Sequence, residues 1–272
     1  MKIILLPTDF SDNAFRATKY ALNLALNFNA KIILMNSFEI PASSSKVMIN
    51  FTDVLEEDSK NGLDKELIKI RENNKFNKVE IEIFSCYGSI TEAINKAEHT
   101  YKIDLIVMGT AGASNIGSRL FGSNTTNAIK NAKQPILVIP KESEYTKWQK
   151  ITFASNIQNS KNDCPFKPLK ELMTLSNSSL NILSVVEDSK SLDKSKIEER
   201  ISDKLIGVNY SINIVENKTI SDGILDFINT NDTDLLVLVR KNYGFIEGLL
   251  HTSVTRKLAL HANKPILLYQ EC

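Results

Sequence analysis

Short apolar runs rich in β-branched residues alternate along this chain with longer segments in which apolar residues recur every three or four positions. The short runs are typical of buried strands, and the longer segments are typical of amphipathic helices. The pattern predicts strands at 3–7, 31–36, 79–85, 104–108 and 136–139, and again at 151–155, 180–186, 211–216, 234–239 and 266–269. Helices are predicted in the first half at 12–28, 53–72, 89–99 and 123–132, with Ser11 and Ser123 as the N-caps of the first and the last.

The pattern repeats once. Residues 2–9 resemble 150–156, residues 102–108 resemble 232–239, and residues 135–139 resemble 265–269. The paired segments lie about 130 to 145 residues apart, which is the period of a duplicated domain. The sequence therefore predicts two tandem domains, 1–142 and 143–272. Each is an α/β domain with a doubly wound, five-stranded parallel sheet of order 3-2-1-4-5, because right-handed βαβ connections leave little alternative.

Composition narrows the class of protein. The 272 residues include 33 lysines and arginines against 32 acidic residues, so no basic nucleic-acid footprint is present. The longest apolar runs are only long enough for strands, and the amino terminus enters a strand without a signal-peptide pattern. A soluble cytoplasmic protein without nucleic-acid or membrane partners is expected. Cys86, Cys164 and Cys272 are widely spaced, which favours reduced thiols and no metal site.

Glycines cluster after the fourth predicted strand. Gly109, Gly112 and Gly122 are three of only ten glycines in the chain, and Gly122 stands at the start of a predicted helix. Glycine lets a phosphate approach backbone amides, and a helix start presents such amides with a positive dipole end. In a sheet of this order, a crevice opens beyond strands 1 and 4, where residues 7–9 also lie. The pattern indicates a nucleotide phosphate site, and the alternative is that the glycines merely permit a turn and cap a helix.

The spacing Gly-x2-Gly-x9-Gly-Ser, together with Leu-Pro-Thr-Asp-Phe-Ser at residues 6–11, resembles the universal stress protein family in a tandem form. The resemblance implies an adenine-nucleotide-hydrolase-like fold and a site for ATP or another adenine nucleotide with Mg²⁺. Asn36 and Asn124 stand where the family commonly has histidine and an aliphatic residue. The nucleotide-binding residues that the resemblance implies are Pro7, Thr8, Asp9, Ser37, Met108, Gly109, Gly112, Gly122, Ser123 and Asn124.

The second half lacks this spacing. Arg240 stands opposite Gly109, Thr252 opposite Gly122, and Asn156 opposite Asp9. No comparable ATP site is expected in the second domain. Two interpretations of its basic residues remain open, a different anion pocket or a solvated loop, and the residues concerned are Arg240, Lys241 and His251.

Three functions remain open. The leading hypothesis is an ATP-binding universal stress protein with one site, in the first domain, acting in stress response or regulation. The others are a slow ATPase and an interaction module with a vestigial site. No catalytic residue is predicted, since His99 and His261 suit helix C-termini and Asp9 could either cap a helix or orient a sugar hydroxyl or Mg²⁺. Family members commonly pair through their last strands, so 136–139 and 266–269 are predicted to pair as an intramolecular pseudodimer, with a homodimer as a further alternative.

Overall fold

The computed structural model describes residues 1–40, 51–110, 122–155, 165–188, 193–240, 258 and 263–270. They form two compact units, Met1–Lys141 and Glu142–Cys272. Some residues singled out in the sequence lie outside the described residues, as does the side chain of Arg240. They are Gly112, Asn156, Cys164, Lys241, His251, Thr252, His261 and Cys272.

The first unit contains a parallel sheet of order β3-β2-β1-β4-β5, with helices as the crossovers. Its strands are β1 (Ile3–Pro7), β2 (Lys31–Phe38), β3 (Ile81–Tyr87), β4 (Leu105–Gly109) and β5 (Ile136–Ile139). Its helices are α1 (Asp12–Phe28), α2 (Phe51–Arg71), α3 (Ile90–Thr100) and α4 (Ser123–Asn131), with a short 3-10 helix at Asn74–Lys78.

The second unit repeats this topology, with the parallel order β10-β9-β6-β7-β8. Its strands are β6 (Lys150–Ala154), β7 (Ser179–Val186), β8 (Tyr210–Glu216), β9 (Leu235–Arg240) and β10 (Ile266–Gln270). The described helices are α5 (Phe166–Ser176), α6 (Lys194–Ile201) and α7 (Ile220–Thr230). The predicted fold class, two tandem doubly wound α/β domains of order 3-2-1-4-5, is confirmed.

The core of the first unit explains where the carboxyl end of β1 lies. Ile4, Leu5 and Leu6 are fully buried, as expected of a central parallel strand covered by helices on both faces. Helix α1 packs on β1 and β4 and buries small residues there, including Ala17 and Ala21, which let the helix approach the sheet closely. The start of α1 is thereby held beside the end of β1.

Both units anchor the start of their first strand in the same way. Asp104 Oδ2 accepts hydrogen bonds from the amides of Lys2 and Ile3, at 2.7 and 3.0 Å. In the second unit, Asp234 Oδ2 accepts from the amides of Gln149 and Lys150, at 2.8 and 2.9 Å. Each aspartate directly precedes the fourth strand of its unit. The sequence repeat is therefore a repeat of side-chain contacts as well.

Replacing Asp104 by alanine should lower the free energy of unfolding by about 1–2 kcal/mol, because two strand-initiating amides lose a charged acceptor. Urea denaturation followed by circular dichroism measures the loss. Asp104→Asn is the matched control, since its amide oxygen still accepts from both amides, and it should cost less. Equal stability of Asp104→Ala and the wild type would show that this anchor contributes nothing.

Candidate functional site

An open cleft lies at the carboxyl ends of β1 and β4, where β1 has β2 on one side and β4 on the other. It encloses about 620 Å³, including the part open to solvent. We call it the switch-point cleft. All predicted site residues that the structure describes line it, namely Pro7, Thr8, Asp9, Ser37, Met108, Gly109, Gly122, Ser123 and Asn124. It is also lined by five residues that were not predicted, Ala14, Met35, Asn36, Ile90 and Thr125.

Backbone amides at the start of α4 form one wall. Gly122 is the N-cap, with φ −58° and ψ 157°, so the prediction of Ser123 as the cap was wrong. The reason is that Gly122 already has the extended cap conformation, and its carbonyl accepts the first helical bond, from Thr126 N at 2.9 Å. Glycine has no side chain to cap the first turn. The amides of residues 123–125 therefore offer donors and the positive end of the dipole at the cleft.

Thr125 fixes this wall to the sheet. Its buried hydroxyl donates to the carbonyl of Gly109, the last residue of β4, at 2.9 Å. The amide of Gly122 also donates to the carbonyl of Thr110, at 2.8 Å. Because both bonds connect the end of β4 to the start of α4, the amide donors have a defined place relative to the sheet. Thr125 was missed because nothing local in the sequence links a helical threonine to a strand end.

Apolar side chains line another part of the cleft. Met108 near the end of β4, Ile90 of α3 and Ala14 of α1 line the cleft with apolar groups, and Met35 within β2 borders it but is fully buried. Thioethers are polarisable and pack well against aromatic rings. The switch-point cleft thus combines an apolar surface suited to a planar base with amide donors suited to an anion.

Thr8 organises the loop between β1 and α1. Its amide donates to Met35 O at 2.8 Å, and its carbonyl accepts from Asn36 Nδ2 at 2.8 Å. Its hydroxyl accepts from the amide of Phe10 at 3.0 Å and donates to Glu66 Oε2 at 2.7 Å. Thr8 is buried, so its hydroxyl is used within the protein and shapes the cleft wall.

Asp9 supports the start of α1. Its Oδ1 accepts from the amide and the hydroxyl of Ser11, at 3.1 and 2.6 Å. Ser11 Oγ in turn accepts from Ala14 N at 3.2 Å, which confirms the predicted N-cap. Asp9 therefore buttresses the cap while it lines the cleft, where an oxygen ligand could serve a ribose hydroxyl or a hydrated cation.

Glu66 of α2 is the main feature that sequence reasoning missed. It is 6% exposed, and its carboxyl group bonds to the hydroxyls of Thr8 and Thr18. Burial raises the pKa of this carboxyl group above its usual value, against the opposing effect of the two threonine hydrogen bonds. A signal was present in the sequence, because Glu66 stands between Leu63 and Ile70 at helical spacing on the buried stripe of α2.

The comparisons with known proteins agree with this geometry. The family model for the universal stress protein family matches residues 1–140 and 174–270. The chain belongs to the universal stress protein family. Universal stress protein MJ0531 of Methanocaldococcus jannaschii is 32% identical over 146 residues, which are 52% of this chain and 82% of the relative.

Solved structures of universal stress proteins resemble the chain as well. One from Archaeoglobus fulgidus matches with a TM-score of 0.78 at 19% identity and covers 98% of both chains. A universal stress protein solved in complex with cAMP covers 52% of this chain and 97% of its own, at 27% identity and a TM-score of 0.38. The likeness to the Archaeoglobus fulgidus structure shows that the two proteins share the same fold over nearly the whole chain.

The second universal stress protein domain keeps part of the loop anchor of the first. Ser155 N donates to Leu183 O at 3.0 Å, and Ser184 Oγ donates to Ser155 O at 3.0 Å. These bonds are the counterparts of those that Thr8 makes with Met35 and Asn36. Arg240 ends β9, but 241–257 are outside the described residues, so the expected lack of an ATP site here stays a prediction.

Clusters of metal-ligating side chains and membrane-spanning helices are both absent from the described ranges. In these parts of the chain, no group of three or more histidine, cysteine, aspartate or glutamate side chains could hold a metal ion. Within the same ranges, none of the helices is both long and apolar enough to cross a membrane.

Proposed function

We propose that the first domain binds ATP or another adenine nucleotide in the switch-point cleft, and that the chain acts as a nucleotide-binding regulator in a stress response. The observation that carries this proposal is the convergence of the residues expected from sequence on one cleft. They come from segments far apart in the chain, the ends of β1, β2 and β4 and the start of α4. The carboxyl ends of the strands at the switch point are where open α/β sheets bind ligands.

Each part of a nucleotide has a matching surface in this proposal. The base packs against the apolar lining that includes Met108 and Ile90, and the phosphates accept hydrogen bonds from the amides at the start of α4. Asp9 holds the ribose or the hydration shell of a Mg²⁺ ion carried by the phosphates. The residues present therefore fit an adenine nucleotide with its cation.

The scarcity of ionisable side chains in the described lining of the cleft favours nucleotide binding over hydrolysis as the function. Among the described residues that line it, Asp9 alone has an ionisable side chain, and its Oδ1 already accepts two hydrogen bonds from Ser11. General-base catalysis needs a group aimed at an attacking water. We therefore propose a switch that senses occupancy, in which a bound nucleotide changes the populations of the loops around the cleft.

Mass spectrometry of small molecules released from the purified, denatured protein tests the proposal. The expected result is about one adenine nucleotide per chain, or, if the protein purifies empty, a one-site isotherm on calorimetric titration with MgATP. Two nucleotides per chain would overturn the assignment of a single site to the first domain. If no nucleotide is released and titration with millimolar MgATP gives no heat of binding, the proposed function is overturned.

A further inference from the structure

Phe10 has a backbone conformation that is unusual for its residue type. Four described residues other than glycine have a positive φ angle, and three of them are asparagine or aspartate, which tolerate this conformation best. Phe10 is the fourth, with φ 63°. It directly follows Asp9, in the loop that leads from the end of β1 at the switch-point cleft into α1. A bulky residue in the left-handed region is strained, so contacts elsewhere must hold Phe10 in place.

The ring of Phe10 lies against Gly62 of α2. A Cβ atom at Gly62 would stand 2.5 Å from Cζ and 2.6 Å from Cε2 of the ring, closer than real Cβ atoms approach any neighbour. Glycine in the middle of a helix is unfavourable, and Gly62 lies well inside the 21-residue helix α2, whose regular backbone does not require it. The absence of a side chain at Gly62 therefore serves to seat the ring. We call this contact the Gly62 notch.

Helix α2 also holds the backbone of the same loop. The amide of Phe10 donates to Thr8 Oγ1 at 3.0 Å, and Thr8 Oγ1 donates to Glu66 Oε2 at 2.7 Å. Glu66 comes one helical turn after Gly62, so the two positions are neighbours on the surface of α2. Residues 8 and 10 are both held by α2, and Asp9 lies between them at the cleft.

The seated ring contributes little to the hydrophobic core. Phe10 is 42% exposed, whereas the core phenylalanines are almost fully buried, as Phe153 is. The stabilisation from burial grows with the apolar area removed from water, so it is small for Phe10. A change at the Gly62 notch should therefore alter the conformation of the loop more than the free energy of unfolding.

We propose that Phe10 is a positioning residue of the nucleotide site, whose ring in the Gly62 notch keeps Asp9 in the conformation that binds the ribose or the hydrated Mg²⁺ ion. This inference rests on the proposed function. When the ring is displaced, the left-handed backbone at Phe10 loses the contact that holds it, and the loop relaxes. Asp9 then leaves its place at the cleft, and nucleotide affinity falls.

Gly62→Ala tests the notch directly, because it places a methyl group where the ring lies. Calorimetric titration should show MgATP binding about tenfold weaker than in the wild type, since the strain at Phe10 is no longer offset. A thermal melt measures the stability of the same variant. Asn61→Ala, at the exposed preceding position of α2, is the matched control, which also raises helix propensity and should bind MgATP like the wild type.

A double-mutant cycle separates the ring from other effects of the alanine. Phe10→Gly has no ring to displace, and glycine adopts a positive φ without strain. In the Phe10→Gly background, Gly62→Ala should change MgATP affinity by less than twofold, because the two effects are coupled through the ring. If Gly62→Ala binds MgATP as tightly as the wild type, or loses the same affinity in both backgrounds, the positioning role of Phe10 is overturned.

The notch itself can be observed without any nucleotide. NMR of the wild-type chain should show nuclear Overhauser effects between the ring protons of Phe10 and the α protons of Gly62, and their absence would overturn the notch. If the wild type binds MgATP and Gly62→Ala binds it equally well, this inference fails and the proposed function stands. If the wild type shows the ring contact but binds no MgATP, the proposed function fails, and the positioning role of Phe10 fails with it.

Discussion

Replacing Gly122 by aspartate should weaken adenine-nucleotide binding by about 10- to 100-fold or more while leaving the protein as stable as the wild type. Gly122 has φ −58° and ψ 157°, an extended conformation that any L-residue adopts, and it is the N-cap of α4. Aspartate at this position accepts hydrogen bonds from the same first-turn amides that are proposed to bind phosphate. It therefore caps the helix, occupies the donors and repels the phosphates.

Calorimetric titration with MgATP and a thermal melt measure the two effects separately. Gly122→Asn is the matched control, because an asparagine also caps the helix but adds no charge to the cleft. Its affinity should lie between those of the wild type and Gly122→Asp. If Gly122→Asp bound nucleotide as tightly as the wild type, the phosphates would not lie at the start of α4.

The second large effect is expected from Phe153→Ala in β6. Phe153 is 1% exposed, and its ring meets Phe166 of α5 edge to face, with centroids 6.1 Å apart. Removing the ring leaves a cavity and should lower the free energy of unfolding of the second unit by about 3–5 kcal/mol. Trp148, the single tryptophan of the chain, is buried in this unit, so its fluorescence follows the transition in urea.

Phe153→Leu, which keeps most of the apolar volume, is the control and should cost about 1.5 kcal/mol or less. Nucleotide affinity below the transition should not change in either variant, because every described residue of the switch-point cleft belongs to the first unit. An unchanged urea midpoint for Phe153→Ala would mean that the cavity collapses. A loss of affinity under native conditions would place part of the site outside the first unit.

Sequence pattern was sufficient for the fold because a central parallel strand is buried on both faces and appears as an uninterrupted apolar run. The strand predicted at 3–7 is Ile3–Pro7, and the helix predicted at 12–28 is Asp12–Phe28. The N-cap of α4 was misplaced because a serine has a hydroxyl that can cap, whereas the conformation that decides the cap belongs to Gly122.

The site was predicted only where its chemistry appears within a short stretch of sequence. The glycines and the turn after β1 form such stretches, but Ile90 and Met35 reach the cleft only because β2 and α3 are brought beside it by the sheet. Glu66 is harder still. Its spacing from Leu63 and Ile70 places it on the buried stripe of α2, but the sequence gives no sign of its partners, Thr8 and Thr18, which lie far from it along the chain.

In a duplicated protein, each residue of one domain can be compared with its equivalent in the other. The aspartates that anchor the first strand of each domain are one such pair. Asp104 and Asp234 accept equivalent hydrogen bonds in the two halves, whereas the last residues of the strands that they precede differ, Gly109 in β4 and Arg240 in β9. Contacts that both domains share stabilise the common fold. Positions that differ between the domains are those at which a property specific to one domain can arise. Chimeras that exchange only those positions would transfer a property from one half to the other on an otherwise unchanged frame.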